Sequence, residues 1–285
     1  MSRADTAGSE QLDISPAVHY DRVTDAWTLL LGNDLHYGVF EHDDETLPHA
    51  THRLTTLMAA AADFRSGDRF LDVGCGIGNS TQWAVESHGV VGVGITTSGR
   101  GVERARRLAA AADAGQVPTF EIRDGMCNGF PDESFDKVWA LESSHLMRDR
   151  QALLRECGRV LRPGGRMALC DIILVEPISF PVVRSLRTEL GLLNRVFGDA
   201  RMETLDTYAQ LAQSAGLEVD MRRDLSAEVR RTFSCWRTNA TMHRDTVCRL
   251  IGNEAWQDFV DSCEILETLW DRGILGYGIF SAVKV

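Results

Sequence analysis

Apolar positions recur at helical spacing near the N-terminus, then give way to short apolar runs separated by helical stretches. Over residues 16–31, Val18, Val23, Trp27, Leu30 and Leu31 fall on one face, which predicts an amphipathic helix. Gly32-Asn33 ends it, the aromatic loop His36-Tyr37-Gly38-Val39-Phe40 follows, and Leu54, Leu57 and Met58 mark a second helix over 47–62. The first strand signal is Phe70-Leu71-Asp72-Val73, punctuated at once by Gly74-Cys75-Gly76-Ile77-Gly78. Helix 80–86, strand 90–95, helix 101–112, strand 119–123, strand 136–141 and helix 150–161 come next. Pro163-Gly164-Gly165 reads as a hard turn before a strand over 166–172. This alternation is that of an α/β protein with a doubly wound parallel sheet.

Beyond Asp171 the rhythm changes. Helices over 181–197 and 205–215 lead to a strand over 217–221, then to helices over 227–251 and 254–272. The alternating segment 276–285 reads as a last strand. The expected organisation is a helical cap over 1–64, then a domain over 65–285 with helical lid segments at about 175–215 and 227–272.

Composition narrows the function classes. The formal net charge is −11, so electrostatics oppose binding to a phosphate backbone. The basic cluster Arg222-Arg223 with Arg230-Arg231 is interrupted by acids and reads as a solvated face. The 7 cysteines (75, 127, 157, 170, 235, 248 and 263) show no Cys-x-x-Cys pair, which suggests small core residues in a reducing compartment. No apolar signal core opens the chain, and no apolar run approaches the roughly 20 residues that span a bilayer. A cytoplasmic protein with no membrane and no nucleic-acid partner is expected; a homo-oligomer is compatible with the sequence.

The candidate chemistry centres on Asp72-Val73-Gly74-Cys75-Gly76-Ile77-Gly78. Glycines there let the chain leave the strand tightly and bring backbone N–H groups against a ligand. A dinucleotide pyrophosphate calls for the wider G-x-G-x-x-G spacing. The leading acid would repel a pyrophosphate and could anchor the ammonium of an amino-acid moiety. Glu142 and Asp171 end the fourth and fifth strands, at the crevice where open α/β sheets bind ligands. His145, just past the fourth strand, is the candidate general base, and either acid could orient it or act itself. Tyr20, His36 and Tyr37 of the cap either close over the site or pack the cap onto the sheet. His49-x-x-His52 lacks the companions of a metal site, so no metal is expected. Trp236, Trp256 and Trp270 pack or line the lid.

The segment Leu71 to Gly78 resembles motif I of the class I S-adenosylmethionine-dependent methyltransferases. The similarity continues through Asp124, through Phe130-Pro131-Asp132-Glu133-Ser134-Phe135-Asp136 and through Leu161-Arg162-Pro163-Gly164-Gly165. In order and spacing these resemble the ubiquinone/menaquinone C-methyltransferase-like branch, and His36-Tyr37-Gly38 resembles its bacterial natural-product tailoring members. The resemblance implies a Rossmann-like seven-strand sheet with an antiparallel last strand, S-adenosyl-L-methionine as cofactor and a small-molecule acceptor. It places Gly74, Gly76 and Gly78 against the methionine part, with Asp72 nearby. Thr96, with Thr97 beside it, stands where the family usually carries a ribose-binding acid, a departure that offers less acceptor capacity. Asp124, Gly125 and Met126 would meet the adenine, and Leu141 would pass beneath the cofactor.

The resulting expectation is a tailoring O- or N-methyltransferase with His145 as base. Its rival is a C-methyltransferase acting on an electron-rich ring or a prenyl substrate. An NAD-dependent oxidoreductase and a non-catalytic cofactor-binding relative complete the alternatives.

Overall fold

Runs that are apolar on successive residues, such as Phe70-Leu71, Val138-Trp139 and Ala168-Leu169, belong to strands buried on both faces. In the computed structural model, which describes residues 16–112 and 115–285, they assemble one seven-stranded sheet. Two helices come first, α1 (Pro16–Leu30) and α2 (Leu47–Ala62). The alternating unit then runs β1 (Arg69–Val73), α3 (Asn79–His88), β2 (Val91–Thr96), α4 (Gly99–Ala111), β3 (Thr119–Ile122), β4 (Phe135–Leu141), α5 (Arg150–Val160) and β5 (Leu161–Leu174). After β5 come α6 (Phe180–Ser185), α7 (Arg187–Phe197), α8 (Leu205–Ser214) and β6 (Leu217–Asp224). The chain closes with α9 (Ser226–Val229), α10 (Thr232–Met242), α11 (Arg244–Ile251), α12 (Asn253–Asp271) and β7 (Leu275–Lys284).

Strand order is β3-β2-β1-β4-β5-β7-β6, with β7 antiparallel to both neighbours, as the sequence implied. The order reverses between β1 and β4, so their carboxyl ends flank a crevice. Alternate residues of each strand feed two cores. One face, with Leu71, Val138, Leu169 and Phe280, packs against Leu153, Cys157 and Tyr208 of α5 and α8. The other, with Phe70, Trp139, Cys170 and Tyr277, packs against α1, α2, α7, α10 and α12.

The local signals that start the helices are visible. Ser98, Asp149 and Thr204 each accept a backbone N–H three residues on, at 2.9, 2.8 and 3.1 Å, capping α4, α5 and α8.

Some boundaries differ from the sequence reading. Pro163-Gly164-Gly165 does not separate two elements: β5 starts at Leu161, and the turn is a bulge between the pairs Phe135↔Leu161 and Lys137↔Arg166. The helix read over 227–251 breaks into α9, α10 and α11, and that over 181–197 breaks at Leu186 into α6 and α7. Periodicity reports a buried face, not chain continuity. The four arginines of the basic cluster are all engaged. Arg222 pairs with Asp206, Arg223 with Glu228, Arg230 with Asp271, and Arg231 lies 5.0 Å over the Phe40 ring.

Candidate functional site

At the end of β1 the chain turns through Gly74, Gly76 and Gly78 with φ of +87°, +54° and +85°. Residues with a Cβ rarely adopt these values. A Cβ on Gly74 would also stand 2.2 Å from Ser143 Cβ, so this turn and the segment after β4 touch backbone to side chain. A Cβ on Gly76 would meet nothing: its bare face opens into a cavity of about 410 Å3 that lies between β1 and β4.

The sequence-predicted cofactor residues line this cavity, Gly78 excepted. Asp72, Gly74 and Gly76 come from β1 and its turn, Thr96 and Thr97 from the end of β2. Asp124, Gly125 and Met126 follow β3, and Leu141 ends β4. Gly78 sits behind the wall, where a Cβ would stand 2.7 Å from Ala105 and the Phe120 ring.

Asp72 is buried, accepts the Thr81 hydroxyl at 2.5 Å and has no ion pair among the described residues. Burial raises its pKa to about 6 against the Thr81 hydrogen bond. Its carboxylate therefore borders the cavity with a hydrogen bond from Thr81 and no cationic side chain beside it. Where the family's usual acid is missing, Thr96 Oγ1 accepts Ser98 N at 3.3 Å, and Ser98 in turn donates to Asp21 of α1 at 2.6 Å. Asp25 of α1 pairs with Arg100 and Arg104. Helix α1 is thereby clasped to α4 beside the threonine pair. Asp124 Oδ1 accepts Met126 N at 2.8 Å and closes the turn after β3.

The sequence-predicted catalytic candidates Glu142 and His145 stand at the end of β4 and just past it. Glu142 adopts φ +48°, strained for a residue with a Cβ. It lines the cavity, and its Oε1 accepts Tyr37 N at 2.8 Å together with the Tyr277 hydroxyl. Burial pushes its pKa up to about 8, with those two hydrogen bonds resisting. The environment thus favours the neutral carboxyl over the carboxylate.

His145 stands on a 3₁₀ turn, Ser144–Leu146, and its Nδ1 lies 2.6 Å from Asp171 Oδ1. A carboxylate partner assigns the proton to Nδ1 and leaves Nε2 as an acceptor. Asp171 is fully buried and also accepts His145 N, Ile172 N and the Ser144 hydroxyl. Burial alone would protonate it, but the His145 ring, its hydrogen bond and Ser144 hold its pKa below the usual carboxylate range. Neither His145 nor Asp171 lines the cavity, although Ser143, Leu146 and Met147 around them do.

The cap residues divide. His36 lines the cavity, is buried, and is locked by Tyr37 O at 2.9 Å and Thr55 Oγ1 at 3.2 Å; burial lowers its pKa. Tyr37 does not line the cavity; its ring sits among Phe233, Trp236, Trp270 and Tyr277. The Tyr20 side chain lies outside the described residues.

Sequence reasoning missed Tyr208, Arg150 and Tyr277, and gave Ser143, in the segment expected to face the acceptor, no bridging role. Ser143 donates to Val73 O at 2.6 Å and bridges the two strand ends. Tyr208 lies 2.6 Å from Ser144 Oγ, and buried Arg150 reaches Tyr208 and the His145 carbonyl at 3.3 and 3.2 Å. Ser143 at least adjoins a strand end; nothing local marks the others. Among the described residues no group of His, Cys, Asp and Glu could hold a metal, and no helix is long and apolar enough to cross a membrane.

A Rossmann-like sheet with a glycine turn, a buried acid before it and a cavity at its switch point defines a nucleoside-cofactor enzyme of the methyltransferase class. Comparison with known proteins agrees. Residues 10–268 match the family described as mycolic acid cyclopropane synthetase, and the chain belongs to that family. It is 39% identical over 216 residues to 27-O-demethylrifamycin SV methyltransferase of Amycolatopsis mediterranei, covering 75% of this chain and 78% of the relative. It is 39% identical over 214 residues to O-methyltransferase resE of Aspergillus sclerotiorum, covering 74% and 78%. A mycolic acid cyclopropane synthase crystallised with S-adenosylhomocysteine and CTAB shares the fold at a TM-score of 0.85 and 21% identity, covering 98% of this chain and 100% of that one. The chain is an S-adenosylmethionine-dependent methyltransferase acting on a small molecule.

Proposed function

We propose that the chain methylates a hydroxyl oxygen of an apolar natural product, with His145 as general base and Asp171 as the residue that positions it. The carrying observation is the 2.6 Å contact between His145 Nδ1 and the buried Asp171 carboxylate, which leaves Nε2 free to accept a proton. The names of the two relatives, 27-O-demethylrifamycin SV methyltransferase and O-methyltransferase resE, support oxygen as the target.

When bound, S-adenosylmethionine supplies a strongly electrophilic methyl group, so the protein's task is alignment and proton removal. Unpaired, cavity-facing Asp72 meets the cofactor's ammonium, and the bare face of Gly76 admits it closely. Gly74 and Gly78 hold the turn. Thr96 and Thr97 offer hydroxyls to the ribose, while Asp124, Gly125 and Met126 surround the adenine and Leu141 underlies it. Glu142, whose pKa burial raises to about 8, stands at the cavity wall, where its neutral form would add no charge that competes with His145. The cap over 1–64 and the lid segments over 175–215 and 227–272 shape the acceptor pocket. With a net charge of −11, nucleic acid is not the acceptor, and the reducing cytoplasm suits the unpaired thiols.

Carbon methylation is the second reading, favoured by the fact that Glu142 and not His145 lines the cavity. There Glu142 would take the proton or stabilise a cation. Incubation of the protein with methyl-labelled cofactor and either 27-O-demethylrifamycin SV or a metabolite extract tests both readings. Label on a small-molecule oxygen, lost by more than about a hundredfold in His145→Ala, is the expected result. Label on carbon with His145→Gln still active selects the second reading, and label in macromolecules overturns both.

A further inference from the structure

Beyond the His145–Asp171 pair runs a chain of buried groups that proton removal by His145 does not itself require. Asp171 uses both oxygens as acceptors: Oδ1 takes His145 Nδ1–H and Ile172 N–H, and Oδ2 takes His145 N–H and the Ser144 hydroxyl. A carboxylate so filled has no lone pair left for a proton of its own. Ser144 gives its one hydroxyl hydrogen to Asp171, so in its 2.6 Å contact with the Tyr208 hydroxyl the tyrosine is the donor. Tyr208 in turn accepts Arg150 Nε–H at 3.3 Å. The two ends fix the direction of every hydrogen between them, because an arginine can only donate and a carboxylate only accept. Arg150 meets no carboxylate directly. Its other bonds run to the His145 and Arg201 carbonyls, and Nη1, in a side chain that is 5% exposed, has no partner. A buried guanidinium is costly unless an opposite charge answers it. Across Tyr208 and Ser144 that charge is Asp171, whose pKa Arg150 helps His145 and Ser144 to lower against burial.

We propose that Arg150 and Tyr208 are positioning residues for the base. Acting through Ser144, they hold Asp171 as an acceptor-only group, and Asp171 holds the His145 hydrogen on Nδ1 and leaves Nε2 bare. Arg150 also bonds the His145 carbonyl at 3.2 Å, as Arg201 N–H does at 2.8 Å, which ties the backbone of the base to the connection between α7 and α8. Helix α8, within the segment expected to act as a lid, thereby has a task at the base. Packing alone does not ask for the phenol: the Tyr208 ring centroid lies 6.0 Å from that of Phe280, a contact that phenylalanine would also make. The inference rests on His145 being the base. Tyr37, Glu142 and Cys170 also feel the Asp171 charge, but they are acids whose pKa burial and that charge raise, and none carries the fixed positive charge of Arg150.

NMR titration of histidine-labelled protein in its S-adenosylhomocysteine complex provides the test, with the His145 ring identified by its absence in His145→Gln. In Tyr208→Phe the Ser144 hydroxyl loses the group that polarises it and donates more weakly. Asp171 then draws the Nδ1 hydrogen harder and stabilises the charged ring. The midpoint of the His145 titration is expected to rise by about half a pH unit in Tyr208→Phe and by about one unit in Arg150→Met, which also removes a positive charge from the neighbourhood. Arg150→Lys keeps that charge and is expected to restore most of the native midpoint. An unmoved or lowered midpoint in both Tyr208→Phe and Arg150→Met, with S-adenosylhomocysteine affinity intact, overturns the proposal by reducing both residues to packing. If either variant loses that affinity, Ser144→Ala decides, since it removes the donor to Asp171 itself and must raise the midpoint at least as far as Tyr208→Phe would. Failure of the base assignment looks different: methyl transfer to 27-O-demethylrifamycin SV that survives His145→Gln, with the midpoint shifts present, removes His145 as base and leaves the hold on its ring standing.

Discussion

The two walls of the site are built by different means. The wall proposed for the cofactor is mostly backbone: Gly74 and Gly76 at positive φ, short turns after β2 and β3, and the strained start of the segment after β4. The region behind Glu142, which does not line the cavity, is side chain: packed rings from the loop after α1, from α7, α10 and α12, and from β7. A backbone wall works by excluding Cβ atoms, and a few adjacent residues specify it. A side-chain wall works by packing elements that lie far apart in the chain, and no local run of residues describes it. The first kind suits a ligand that stays the same, the second a ligand that varies between relatives.

The sharpest way to break this contrast is Gly74→Ala. The added Cβ would stand 2.2 Å from Ser143 Cβ at a φ that alanine avoids, so both walls lose their common seam. A cost of about 3 kcal/mol is expected, from overpacking plus backbone strain. S-adenosylhomocysteine affinity should fall more than about a hundredfold by calorimetry. Retained affinity would mean that the turn and the segment after β4 are less tightly joined than described.

Next in size is Asp171→Asn, which keeps the shape of the dyad and changes the tautomer it selects. Turnover should fall on the order of a thousandfold, as loss of the orienting acid does in related dyads. Cofactor affinity should hold within about twofold, since Asp171 does not line the cavity. A matching loss of cofactor affinity would show that the two walls are not separable.

The smallest effect is expected from Glu142→Gln, at the point where the walls meet. The folded-state pKa of Glu142, about 8, lies above its ordinary value of 4.5. The stability it contributes is therefore complete below about pH 4.5 and is lost as pH rises through about 8. Glutamine carries no such slope, so the Tm of the variant should decline less than the native Tm between about pH 6 and pH 9. Turnover within about tenfold of native supports oxygen methylation with His145 as base; a far larger loss at unchanged cofactor affinity moves the proton to Glu142 and the reading to carbon.

Legibility followed the same division. Asp72 through Gly78 could be read because each residue acts where it stands: the acid ends a buried strand, and the glycines turn the chain. His145 and Asp171 were both named from strand ends, but their 2.6 Å contact depends on β4 lying beside β5. The helix read over 227–251 shows the limit of periodicity, since three shorter helices present the same apolar side to the core. Tyr37 was assigned to the pocket as one cap ring; nothing near it in the chain announces Trp236, Trp270 or Tyr277 as neighbours.

The resemblance carried by the motifs implied the methyltransferase class, while the residues alone determined the strand and helix alternation and the glycine turn with its acid. Those last two arise from periodicity and backbone conformational freedom, which are local. Only the tertiary structure decided in which direction the pKa of each strand-end carboxyl moves. Asp171 and Glu142 are both buried strand-end acids, but one is surrounded by three donors and the His145 ring while the other receives two donors in an aromatic setting. Desolvation and hydrogen bonding set that difference, and both depend on side chains brought in from elsewhere in the fold.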